Sequence, residues 1–365
     1  VKQNPITSIK DQNRSGTCWA YSTLSYFESE ILKHTGKTYD LSEMFVANKT
    51  YMDRATMAVR MHGDVSFSQG GSAYDVLYAL QHYGIVPEGA MPAPGTLTGD
   101  SLANFGEFFD VMTPYVEAVA KSNAKKISSA WKSGLQGIID SYIGKTPEKF
   151  TYQGKQYTPQ SFCQSLGLNL DDYVTITSYT HHPMWSKFAV EVQDNWRWPL
   201  SYNVPMDDLC KIIDNAINNG YTVAWGGDVT EDGFTRKGLG IAYDVKKVRS
   251  MAGTDADHWF KLSKDEKKEK FDSLGVNAPE VVPTQAMRQE AFDNWETTDD
   301  HGMHIYGIAK DQNGKEYYMV KNSWGEYGDY KGTWYMTKAF VAYKTMDFMV
   351  NKNAIPKDIR KKLGI

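Results

Sequence analysis

Apolar residues recur at helical spacing in the first half of this chain and at strand spacing in the second, and this segregation limits the possible folds more than any other feature. Tyr21, Leu24, Phe27 and Ile31 predict a buried helix from Cys18 to Lys33, with Gly36 as its stop. Ser72 and Asp75 form a capping-box start for a helix carrying Val76, Leu77 and Leu80, closed by Gly84. Between Ser101 and Gly144, the row Ile127, Trp131, Leu135, Ile138 and Tyr142 predicts a helical hairpin. Strand-like segments follow at Tyr173–Tyr179, Tyr221–Trp225, Met303–Ile308, Tyr317–Ser323 and Thr333–Thr337, with one helix from about Asp207 to Asn218 among them. A doubly wound sheet would alternate the two periods, so the expected class is α+β in two lobes. The charged stretch Lys261–Lys270 reads as a solvated surface helix.

With 41% hydrophobic residues among 365, the chain can bury a core of its own. The formal net charge of −4 removes the broad attraction that nucleic acid or an anionic membrane would need, so neither is an expected partner. No apolar run reaches the roughly 18 residues that span a bilayer. Cys18, Cys163 and Cys210 are too few and too odd in number to form a disulfide framework, so at least one thiol is free.

Cys18 opens its helix directly after the turn Arg14-Ser15-Gly16-Thr17. Free N–H groups and the positive dipole end at a helix N-terminus favour thiolate over thiol, which makes such a sulfur a candidate nucleophile. A base is offered by Asp300-His301-Gly302-Met303-His304, and an orienting amide by Asn322-Ser323-Trp324-Gly325. Asn313-Gly314 between the two strands predicts a two-residue hairpin turn. In that register Ile305 faces Asn322, so His301 shares a sheet face with Asn322 while His304 points the other way. The strict register leaves His301 roughly 13 Å from Asn322 along the strand, so contact requires another even register, such as a loop centred on Asp311 and Gln312. A single bulge would reverse the parity. A Cys, a His and an Asn so placed supply nucleophile, base and orienting group for acyl transfer.

These motifs, with Gln12 six residues before Cys18-Trp19-Ala20, resemble the papain-like cysteine peptidases. Asn13-Arg14-Ser15-Gly16-Thr17-Cys18-Trp19, Leu41-Ser42-Glu43, Gly70-Gly71, Tyr83-Gly84-Ile85-Val86-Pro87 and Trp225-Gly226-Gly227-Asp228 are similar, within that superfamily, to bleomycin hydrolase and the bacterial aminopeptidase C enzymes. The resemblance implies a papain-like two-lobe fold. Its parts are a helical lobe over about 1–87, a helical insertion over about 88–170, a β-rich lobe over about 171–350 and a C-terminal tail over 351–365.

The resemblance also implies roles. Cys18 is the expected nucleophile, His301 the base and later the acid, and Asn322 the residue that orients the imidazole. Gln12 and the Cys18 N–H would form the oxyanion hole, at roughly 3 kcal/mol per donor. Trp324 would shield the His–Asn pair, Trp19 would support the site from the core, and Gly70 and Gly71 would bind an extended peptide through their backbone. No cofactor is implied. Peptides are the expected substrates, a homo-hexameric ring the expected assembly, and the cytoplasm the expected compartment unless a signal peptide preceded Val1. In those relatives a C-terminal arm holds the substrate amine, whereas this sequence reads as stopping before such an arm. Aminopeptidase, open-cleft endopeptidase and inactive peptide-binding scaffold therefore all remain as readings. His181-His182 is followed by Pro183 with no spaced third ligand, and no metal site is placed there.

Overall fold

Thr17 sits outside helical backbone, and Cys18 begins an 18-residue helix, α1 (Cys18–Thr35), that Gly36 closes in the left-handed conformation at φ 70°. In this computed structural model, which describes residues 1–94, 102–251 and 262–365, every residue of α1 from Trp19 to Ile31 is buried. The apolar spacing marks one face, but the opposite face is covered too. Its two buried acids are hydrogen-bonded inside: Glu28 accepts from the Leu41 N–H at 2.8 Å, and Asn351 donates to Glu30 at 3.1 Å. The α1 helix is thus the central post between the two halves.

On one side of it pack α2 (Glu43–Arg60), α3 (Ala73–His82), α4 (Gly106–Ala120), α5 (Ala130–Ile143) and α6 (Pro159–Ser165), sharing one core with α1. A small hairpin of β2 (Phe150–Tyr152) and β3 (Lys155–Tyr157) belongs with them. Ser42 caps α2 by accepting from the Phe45 N–H at 3.1 Å, and Ser72 N–H donates to Asp75 at 2.9 Å as the sequence predicts. The predicted helical hairpin is α4 and α5, with Ser101 outside the described residues. Ile127 is a correction to its apolar row. α5 begins only at Ala130, which leaves Ile127 in the connection, 41% exposed.

On the other side lies an eleven-stranded sheet. Its strands are β1 (Lys2–Gln3), β4 (Tyr173–Thr177), β5 (Lys187–Phe188), β6 (Ser201–Asn203), β7 (Val223–Gly227), β8 (Phe234–Thr235), β9 (Leu239–Gly240), β10 (His301–Lys310), β11 (Glu316–Lys321), β12 (Thr333–Thr337) and β13 (Thr345–Asn351). The order is β5-β6-β4-β13-β7-β10-β11-β12-β9-β8, with β1 added against β10. Its helices are α7 (Met206–Asn218), α8 (Val245–Met251), α9 (Lys264–Leu274), α10 (Gln285–Asp293), α11 (Lys338–Lys344) and α12 (Lys357–Leu363). Ile359 and Leu363 of α12 complete the core that α7 makes with the sheet, so the last residues run over that core.

The charged stretch predicted as a surface helix is α9, although Lys261 lies outside the described residues. It is not wholly solvated, because Phe271 is buried and stacks on Tyr243 at 4.4 Å. No described helix is long and apolar enough to cross a membrane.

Candidate active site

The hairpin of β10 and β11 decides which histidine meets Asn322. It does not follow the two-residue turn. The loop is Gln312–Gly314, with Asp311 N–H bonded to Lys315 O at 3.0 Å and Gly314 at φ 82°, the three-residue form in which glycine takes the left-handed position. That shifts the register by one residue. A bulge at Tyr306, between the pairs Ile305–Val320 and Gly307–Met319, shifts it by one more in the same direction. The two odd departures sum to an even one, so parity survives although both premises fail. His304 pairs with Lys321, and continuing that register puts Asn322 opposite Met303, two residues from His301 on the same face.

Side chains close that gap: His301 Nε2 lies 2.8 Å from Asn322 Oδ1. The Ser323 N–H donates to the same Oδ1 at 2.8 Å, which identifies that atom as the carbonyl oxygen. His301 must then donate from Nε2–H, leaving Nδ1 with a free lone pair. Trp324 covers the ring at a centroid distance of 5.0 Å and is itself braced edge-on by Phe234 and Trp334. His304 is elsewhere, fully buried, with Nδ1 bonded to Ser25 Oγ at 2.8 Å.

Cys18, His301, Gly70 and Gly71 line one cleft where the N-terminus of α1 meets the start of β10. Gly302 makes this approach possible. A methyl group there would lie 2.7 Å from Ser22 Oγ and 3.5 Å from Cys18 O. Trp19 locks the turn before Cys18, because its Nε1–H is shared between Gly16 O and Gln69 O at 3.1 and 3.0 Å. Gly71 is packed so closely on the Trp19 ring that a Cβ would come within 2.7 Å. Gly70 O accepts from Arg54 at 2.6 Å, which holds this strip of backbone in place. Gln12 does not line the cleft. Its Nε2 donates to Ser15 O at 2.8 Å and its Oε1 accepts from Ser323 Oγ at 2.7 Å, so one amide N–H is engaged within its own loop.

Burial pushes the Cys18 thiol up to about 12, and the charges of Asp299 and Asp194 add to the effect against the opposing N–H groups of Gly302 and Trp19. Burial likewise takes the His301 imidazole down to about 4, against the hydrogen bond to Asn322. Both shifts favour the neutral forms, and a proton passed from the thiol to the imidazole would create mutually attracting ions.

Three carboxylates that motif reading does not single out share the cleft: Asp194, Asp299 and Asp347. Asp194 is paired with Arg54 at 3.0 Å. Among the described residues, Asp299 and Asp347 have no hydrogen-bond or ion-pair partner. Burial raises Asp347 to about 6, and burial followed by Asp194 and Asp347 raises Asp299 well above the usual carboxylate range. Asp347 carried a sequence signal, as a lone acid inside the apolar run Met346–Val350. Asp194 and Asp299 carried none, because both lie in loops.

Arg54 is fully buried and also bonds Ser66 O at 2.9 Å. Arg54→Met removes these contacts and leaves Asp194 without its cation. Chemical denaturation is expected to show a loss of about 3 kcal/mol.

The whole chain matches one family description, Peptidase C1-like family, over residues 1–278 and 280–364. It is 24% identical over 408 residues to Aminopeptidase C of Lactobacillus helveticus, which covers 99% of this chain and 84% of that protein. It is 23% identical over 397 residues to Aminopeptidase G of Lactobacillus delbrueckii subsp. lactis, with the same shares covered. Among solved structures, PepW from Lactobacillus rhamnosis HN001 superimposes with a TM-score of 0.71 at 19% identity, over 99% of this chain and 84% of that one. Architecture and family match agree: the chain belongs to the Peptidase C1-like family and is a cysteine-type peptidase of papain-like fold.

Proposed function

We propose that this chain is an aminopeptidase in which Cys18, His301 and Asn322 hydrolyse the first peptide bond of a substrate through a thioester. The observation that carries the reading is the His301–Asn322 bond at 2.8 Å beside a cysteine at a helix N-terminus in one cleft. Asn322 holds Nε2–H, so Nδ1 is the atom that takes the thiol proton as sulfur attacks the carbonyl carbon. The carbonyl oxygen becomes negative and accepts from the Cys18 N–H, while Gln12 braces the loop before it through Ser15 and Ser323. The C–N bond then breaks, His301 gives its proton to the departing amine, and the acyl group stays on sulfur. Water, deprotonated by the same Nδ1, attacks the thioester and regenerates the thiol.

The relatives named above are aminopeptidases, and this cleft holds the charge such an activity needs. Asp347 has no counter-charge and Asp299 feels Arg54 only weakly against its burial and its acidic neighbours, so an ammonium group beside them relieves both their crowding and their desolvation. The substrate's free α-amine is that group. An extended peptide would take its strand-like hydrogen bonds from the backbone of Gly70 and Gly71, which Arg54 holds in place through Gly70 O. Homo-hexamer formation is proposed on the family resemblance alone, and light scattering tests it.

The role of Asn322 has its own test. Asn322→Ala removes orientation and no reacting atom, so kcat is expected to fall on the order of 10²-fold with KM little changed, well short of the loss from removing His301. A loss equal to that of His301→Ala would mean that Asn322 does more than hold the ring.

A further inference from the structure

The sequence offers two adjacent histidines and then a proline, and the fold supplies what was missing. The segment after β4 turns back through His181–Trp185 into β5, and the chain beyond β5 brings Glu191 up against both rings. His181 Nε2 lies 2.9 Å from one oxygen of the Glu191 carboxylate and His182 Nε2 lies 2.9 Å from the other. We propose that His181, His182 and Glu191 form a binding site for a divalent transition-metal ion of the zinc class, separate from Cys18 and His301.

The three ligand atoms lie within 4.8 Å of one another. Tetrahedral bonds of about 2.0–2.2 Å would set them roughly 3.3–3.6 Å apart, so the contraction needed is at most about 1 Å. Two imidazoles and a carboxylate, with a position left for water, are a donor set for zinc, cobalt or nickel rather than for calcium or magnesium.

The rings are held in place by their surroundings. His182 stacks on Phe188 at 4.1 Å and 20°, and His181 lies nearly parallel to Phe292 of α10 at 5.7 Å and 23°. Asn203 bonds the His182 and Pro183 carbonyls at 3.1 and 3.2 Å, which fixes the turn between them. The Gln289 amide of α10 lies at His181 Nδ1, its Nε2 at 3.1 Å and its Oε1 at 3.5 Å, and that oxygen is the outer acceptor a ligating histidine needs. Partial burial pushes Glu191 up, but the His182 and His181 bonds outweigh it and hold the carboxyl below its ordinary value.

Metal binding replaces two N–H···O contacts. Each neutral imidazole moves its proton from Nε2 to Nδ1, and the ion takes both freed lone pairs and the carboxylate. For His181 the Nδ1 proton has Gln289 Oε1 as its acceptor, 3.5 Å away and already held by the Thr180 N–H at 2.6 Å. The site adjoins the catalytic region, because Glu191 stands between Val190 and Val192, which both line the Cys18 cleft.

The experiment uses the full chain without an affinity tag and with Cys18→Ala, since a thiol beside His301 would itself bind the probe. Zn²⁺ is titrated by calorimetry, with Ca²⁺ as the contrast. Binding of one Zn²⁺ per chain is expected, with no heat from Ca²⁺. Glu191→Gln, which keeps the shape, and His182→Ala are each expected to weaken binding at least about 10-fold. Co²⁺ is expected to give the visible bands of a four-coordinate site, lost in the same variants. Absence of Zn²⁺ binding, or an affinity unchanged in both variants, overturns the proposal. These outcomes do not depend on whether the chain cleaves peptides.

Discussion

Cys18→Ala is expected to reduce peptide turnover by about 10⁴-fold or more while leaving the fold intact, because in the proposed mechanism it removes the sulfur that carries the acyl group. Residue 18 is half-buried at a helix start, and alanine is the better helix former there. Circular dichroism and thermal unfolding should therefore match the parent protein. His301→Ala is expected to cost a similar factor, and the two changes together little more than either alone, because in the proposed mechanism thiol and imidazole act as one proton-transfer unit. His304 is the control that discriminates. It bonds Ser25 and has no bond to Asn322, so His304→Ala should keep kcat within a few-fold of the parent at temperatures where the protein is folded. It is also fully buried, and the cavity left behind should lower stability by about 2 kcal/mol. Turnover surviving in Cys18→Ala, or lost through kcat in a folded His304→Ala protein, would sink the assignment.

What the sequence could reveal depended on whether a feature is local. Cys18 was legible because a turn, a cysteine and a helical apolar row adjoin in the chain. The pairing of His301 with Asn322 was legible only through parity, and the route to it was wrong in two places. Asn313-Gly314 signals a tight turn, yet Asp311 bonds Lys315 across a loop one residue longer, and the bulge at Tyr306 has no residue signature of its own. β13 was missed because α11 runs straight into it at Lys344–Thr345 without the glycine or proline that usually marks such a junction. Glu191 could not be joined to His181-His182 from spacing, since nothing short of the turn and β5 shows that those segments converge. The acids around Cys18 share that limit. Asp194, Asp299 and Asp347 come from three separate segments, and only the folded cleft makes them neighbours.

Those acids carry the second large effect. A fluorogenic peptide with a free N-terminus should be cleaved about 10- to 150-fold better, in kcat/KM, than the same peptide acetylated, because acetylation deletes a charge that two carboxylates with no ion-pair partner would hold at roughly 1.5–3 kcal/mol. Asp347→Asn should lower kcat/KM for the free peptide about 10-fold or more and leave the acetylated one unchanged, so the preference narrows from one side only. The effect also has a predicted pH dependence. Burial raises Asp347 to about 6, so its charge is present above that value and lost below it. Preference for the free amine should accordingly hold at neutral pH and fade as pH falls through about 6, while the Asp347→Asn protein loses that part of the profile. A peptide bearing lysine one residue before the scissile bond's own residue, with its amine acetylated, separates the two cations the acids could hold. If it is cleaved as well as the free peptide, the acids read a basic side chain, and the enzyme is an endopeptidase with a basic preference. If every acetylated peptide is poor, the amine is what they read. Equal cleavage of neutral acetylated and free peptides would instead mean an open cleft in which Asp299 and Asp347 play no part in substrate choice, leaving the thiol chemistry at Cys18 untouched.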